Sequence, residues 1–135
     1  MMVSMLFKIK GTIAKKDITI FIAPTKRNNY IHVELANHLV IPESNIIEGL
    51  DFWNKKQYEI SNLQLNMGGY TFVSKFIARS LWADVGDIII GLPWMETLGS
   101  FILKMKKKIL IFPYEKQMIM LQDVSIKTNL EVPTS

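Results

Sequence analysis

The chain has 135 residues, 49% of them apolar, with 16 Lys and Arg against 12 Asp and Glu for a formal charge of +4. That length suits one domain whose core folds without staples, and the apolar and aromatic content excludes disorder. The absence of cysteine excludes disulfides and thiolate metal sites and fits a reducing compartment, so a cytoplasmic location is expected.

Period-two alternation opens the chain. Phe7, Ile9 and Ile13 alternate with Lys8, Lys10 and Thr12, and Gly11 marks a bulge or bend. Lys15-Lys16-Asp17 reads as a polar turn, after which Ile18, Ile20 and Ile22 alternate with Thr19 and Phe21. Pro24 cannot donate to a ladder, so this second strand ends at Ala23. A polar loop comes next, then a short helix over residues 33–39 that Pro42 stops. Leu63, Leu65 and Met67 alternate with Gln64 and Asn66, Gly68-Gly69 forms a turn, and Tyr70, Phe72 and Phe76 return. The continuous run Ile88-Ile89-Ile90 suits a strand buried on both faces. Pro93 and Gly99 bracket a second short helix. Hairpin, loop, strand and helix thus occur twice, about half a chain apart, which suggests a pseudo-twofold repeat. Residues 101–112 and 118–121 add strands about a turn at residues 113–116. The reading is one domain over residues 1–122 and a polar tail over residues 123–135.

The longest apolar runs, such as Ile109-Leu110-Ile111-Phe112, fall far short of the roughly 20 residues of a membrane helix, so no membrane association is expected. So high an apolar fraction in a small chain points to a partner covering part of its surface, hence to a homodimer.

The stretch Asp87-Ile88-Ile89-Ile90-Gly91-Leu92-Pro93-Trp94-Met95 resembles a signature of retropepsin-like aspartic proteases, most of all those of Ty3/gypsy-type LTR retrotransposons. There an apolar triplet ends in Gly and a Trp-containing helix comes after it, which makes Ile88, Ile89, Ile90, Gly91 and Trp94 the family signature here. The resemblance extends over residues 6–122 and implies an all-β, retropepsin-like barrel with one or two short helices. It places the flap at Asn66, Met67, Gly68, Gly69 and Tyr70, facing an active-site loop at residues 23–27.

At that loop the pattern departs. The family carries Asp-Ser/Thr-Gly-Ala after the apolar strand, and this chain carries Ala23-Pro24-Thr25-Lys26. Aspartic proteolysis needs two carboxylates sharing one proton. The family obtains the pair by dimerising, and Ala23 supplies none. Pro24 brings neither hydroxyl nor N–H, and Thr25 puts a β-branched side chain where glycine lets substrate approach. The resemblance therefore implies a pseudo-protease: a non-catalytic, retrotransposon-derived domain for protein interaction or dimerisation, without cofactor, whose flap and disabled loop hold an extended peptide by strand addition.

Two other functions are weaker. An active endopeptidase would need a substitute acid, and Asp17, Asp84 and Asp87 read as turn or loop residues in water. A nucleic-acid binder would use Lys104, Lys106, Lys107 and Lys108, but no aromatic platform is interleaved with them, and lysines commonly guard strand edges. His32 and His38 lack the spacing and partners of a metal site. Trp53, Trp82 and Trp94 read as anchors of core or interface, and Met67 as packing.

Overall fold

Six strands close into a barrel in the computed structural model, which describes residues 7–50, 53–54, 56–81 and 86–124. The strands β1 (Phe7–Ile13) and β2 (Lys16–Ile22) pair antiparallel, joined by Ala14 and Lys15 alone. Both of those residues have positive φ, the mirror-image turn whose twist suits a two-residue hairpin. The expected turn at Lys15-Lys16-Asp17 is therefore shifted: Lys16 and Asp17 belong to the ladder, opposite Ile13 and Thr12. Gly11 forms no bulge either, since the β1–β2 register is unbroken. A Cβ there would lie 2.5 Å from the Asn66 carbonyl oxygen, so glycine is required where the barrel closes.

From β2 the chain passes through a loop into β3 (Tyr30–His32) and α1 (Val33–Asn37), then a 3₁₀ turn (Glu43–Asn45) and β4 (Ile46–Leu50). The long strands β5 (Lys56–Met67) and β6 (Tyr70–Arg79) come next, then β7 (Ile88–Ile90) and α2 (Leu92–Glu96). Sheet order is β1-β2-β7-β3-β6-β5-β4, and Thr12 pairs with Asn66 to close β1 onto β5. In this barrel β4 is an outer arm of β5. One strand can serve both edges because it bends. An extra residue enters β5 between Ile60 and Leu63, with Asn62 at positive φ, and such a bulge sharpens twist. Before the bulge β5 pairs with β4, and near its far end it meets β1.

The repeat is visible as reciprocal pairing. β3 and β7 are antiparallel neighbours; β7 runs parallel to β2 and β3 runs parallel to β6. Each short central strand then enters a five-residue helix. Both faces of β7 are covered, which is why its three isoleucines need no polar alternation.

A second sheet of β8 (Ile102–Lys104), β9 (Ile109–Tyr114) and β10 (Gln117–Gln122) lays Leu110, Phe112, Ile119 and Leu121 on the core. Trp94 sits at the junction, fully buried, its indole N–H donating to the Tyr70 hydroxyl at 3.1 Å. Rings of Tyr70, Phe72 and Phe112 surround it edge-on. The sheet is tied to β1 through Asp123, whose carboxylate accepts the Lys8 N–H at 2.9 Å. Residues 125–135 of the expected tail lie outside the described residues, as does Trp82. Trp53 is exposed rather than a core anchor. Among the described residues no helix is long and apolar enough to cross a membrane.

Candidate functional site

Strand β2 delivers Ala23 to the point where its backbone leaves the sheet. The Ala23 N–H donates to the Ile90 carbonyl at 2.8 Å, and the Lys26 N–H returns to the Ala23 carbonyl at 3.0 Å. This four-residue turn has Pro24 at its second position, where a fixed φ is favourable. Ala23 itself is 0% exposed, its methyl group in a cluster with Ile89, Phe21, Tyr30 and Leu81. No residue of the loop 23–29 is acidic.

Beyond the turn, residues 26–29 are locked to the end of β7. The Leu92 N–H donates to the Lys26 carbonyl at 2.8 Å, and the Gly91 N–H donates to the Asn29 side-chain oxygen at 2.9 Å. A Cβ on Gly91 would lie 2.5 Å from the Lys26 carbonyl oxygen and 2.6 Å from that of Asn28. These are backbone atoms within a hydrogen-bonded loop, so the glycine of the signature is demanded by a close crossing of two chain segments. Asn29 is buried and reaches a third strand, since its carbonyl accepts the Ile77 N–H at 2.9 Å. Asn29 is not among the site residues expected from the sequence. Its signal was an amide side chain directly before a short apolar strand, a place where a buried loop needs a polar partner.

The candidate acids lie elsewhere. Asp17 is exposed on β2, six residues from Ala23. Asp87 binds the Thr19 N–H through its carboxylate at 2.9 Å and accepts the His32 N–H on its carbonyl at 2.9 Å, pinning the loop before β7 to its neighbours. Asp84 lies outside the described residues. Both histidines serve α1: the His32 ring nitrogen accepts the Glu34 N–H, and that of His38 lies 2.7 Å from the Glu34 carbonyl.

Asn66 to Tyr70 and the loop 23–27 do not form one groove. Asn66 is level with Thr12 and hence with Asp17, about 20 Å along β2 from Ala23. Met67 is 0% and Tyr70 8% exposed, and Gly68 abuts the Leu121 side chain. The turn is real, but its flanking side chains belong to the core. The hairpin that rises at the Ala23 end is instead β4–β5. Its register sets Tyr58 beside Ala78 of β6, and three residues beyond Ala78 the chain places Leu81 against Ala23. This arm is open: Ile47 is 60% and Leu50 61% exposed. Beside its base lies a cavity of about 440 Å³ lined by Asn37, Ile41, Glu43, Ile46, Glu48 and Tyr58, among others.

The fold as a whole is similar to that of solved structures. The retroviral protease-like domain of Ddi1 from Leishmania major superposes with a TM-score of 0.63 at 18% identity, covering 90% of this chain and 94% of that one. The fold is retropepsin-like. A retropepsin-like aspartic protease from Rickettsia conorii aligns with a TM-score of 0.52 at 14% identity, over 86% of this chain and 81% of its own. No protein-family model and no curated protein sequence matches the chain. In this retropepsin-like fold the loop that begins at Ala23 is fixed to the end of β7 through Gly91 and Asn29.

Proposed function

We propose that the chain is a non-catalytic descendant of a retrotransposon protease, of Ty3/gypsy type, that works in the cytoplasm by binding protein rather than cutting it. The observation that carries this reading is Ala23, a buried methyl group among apolar neighbours at the end of β2, in a loop without any acid. A carboxylate pair sharing a proton is what activates water in aspartic proteolysis, and two copies of this loop bring none together. Pro24 and Thr25 remove the hydroxyl and the close backbone approach that the family motif supplies.

The binding mode has two parts. A symmetric pair of chains forms by burying the exposed rim around Ala23 and Leu92 against its equivalent. An extended peptide lies between the β4–β5 hairpin and residues 23–27, held by strand addition, with the hairpin as roof in place of the Gly68-Gly69 turn. The register of β5 with β6 and the exposure of Ile47 and Leu50 support that assignment.

The deciding experiment incubates purified chain with a peptide library between acid and neutral pH, with and without pepstatin. We expect retention of peptides on the immobilised chain and no cleavage products. Pepstatin-sensitive cleavage, lost when a nearby carboxylate is neutralised, would overturn the reading in favour of an active endopeptidase. Sedimentation at micromolar concentration tests the pairing, and a monomer there removes that part.

A further inference from the structure

Among the described residues the sheet β8–β10 is covered on one face only. Leu103, Leu110, Phe112, Ile119 and Leu121 point to the core, so alternation turns Ile102, Ile111, Met118 and Met120 outward. The register sets Ile102, Ile111 and Met120 side by side across all three strands. Phe101, Ile102, Met118 and Met120 are between 39% and 59% exposed. Scattered apolar residues on a surface are ordinary, whereas a contiguous row is a mark of contact.

At one end of this face Lys104 closes β8, and the turn to β9 carries Lys106, Lys107 and Lys108 beside an exposed Met105. Among the described residues none of the four lysines is in an ion pair. The outward positions 102, 104, 109, 111, 113, 118, 120 and 122 include no acid. Lysines that merely discourage edge pairing would not need an apolar row behind them.

We propose that this face docks an acidic amphipathic helix of a partner protein, its apolar stripe on Ile102, Ile111, Met118 and Met120 and its carboxylates over the lysine turn. The dimensions suit one helix. Three strands span about 10 Å across, the diameter of an α-helix with its side chains, and the six residues of β9 or β10 run about 20 Å, between three and four helical turns. A second copy of the chain is a poorer occupant, because it brings another basic turn and no acid to either. A lipid surface is poorer still: β8 is a sheet edge, and immersing it would strip water from unpaired backbone groups at several kcal/mol each. The face lies on the C-terminal sheet, apart from the loop 23–29, and the inference does not rest on the reading of that loop.

The test titrates the whole chain into a labelled designed peptide of about four helical turns, leucine along one stripe and glutamate on its flanks. The comparison peptide carries lysine in place of glutamate. We expect the acidic peptide alone to bind, with affinity falling as salt rises and chemical-shift changes confined to β8–β10. Met118→Ser with Met120→Ser, and separately Lys106→Glu with Lys107→Glu, each weaken binding roughly tenfold or more at unchanged melting temperature. Should the methionine pair lower the melting temperature, the lysine pair, on an exposed turn, decides alone. Equal binding of both peptides, or indifference to the lysine pair, overturns the proposal. So does pelleting with phosphatidylserine vesicles without peptide binding, or self-association abolished by the methionine substitutions.

Discussion

Two hairpins spring from β5, one at each end, and they differ in everything except their antiparallel pairing. At the Gly68-Gly69 end the flanking Met67 and Tyr70 are buried, Tyr70 accepts the Trp94 indole N–H, and the turn rests on Leu121. At the other end β4 has four exposed residues out of five and a cavity beside its base. The glycine pair marks a tight turn and says nothing of whether that turn is free to move. Freedom is set by what the rest of the chain lays against the hairpin, and here the C-terminal sheet occupies one and leaves the other open.

The sharpest way to break this contrast is to remove what seats the first hairpin. Trp94→Ala deletes a fully buried ring that Tyr70, Phe72 and Phe112 pack around, and a loss of about 4 kcal/mol in denaturant unfolding is expected. A loss under about 1 kcal/mol would mean that the aromatic cluster is not the seat. The crossing loop belongs with the seated hairpin: Asn29→Ala leaves the buried Gly91 N–H without its acceptor and costs about 2 kcal/mol by the same measurement. Tyr70→Phe keeps the ring and removes only the partner of the Trp94 N–H, for about 1 kcal/mol. On the open hairpin, Ile47→Ser with Leu50→Ser changes stability by no more than about 0.5 kcal/mol, because both side chains already stand in water. Hydrogen exchange gives the same ranking without mutation. Amides of the Met67–Tyr70 pair exchange only through global unfolding, and those of β4 through local opening; equal protection at both ends would erase the distinction.

Legibility tracked the range of the signal. Alternation at Ile18, Ile20 and Ile22, the unbroken run at residues 88–90, and the Pro93 and Gly99 brackets are local patterns, and each lies in the expected element or beside it. β4 carried no such pattern. Ile46-Ile47-Glu48-Gly49-Leu50 does not alternate, because an outer arm with both faces largely in water has nothing to alternate for. Gly11 looked like a bulge because a glycine inside a strand reads the same whether it bends its own chain or admits another. Asn29 was silent for a like reason: its partners, Gly91 and Ile77, lie 62 and 48 residues away along the chain.

The amino-acid order alone determined the strands that alternate or run unbroken, the neighbourhood of their turns, and that the loop after β2 begins with alanine, proline and threonine and holds no acid. Those features depend on neighbours within a few residues. The fold decided which hairpin overhangs that loop, that Gly91 must be bare to let the loop pass, and which sheet face stays uncovered. Each of these depends on segments brought together from distant parts of the chain, and it is packing between them, not the preference of any one, that selects the arrangement.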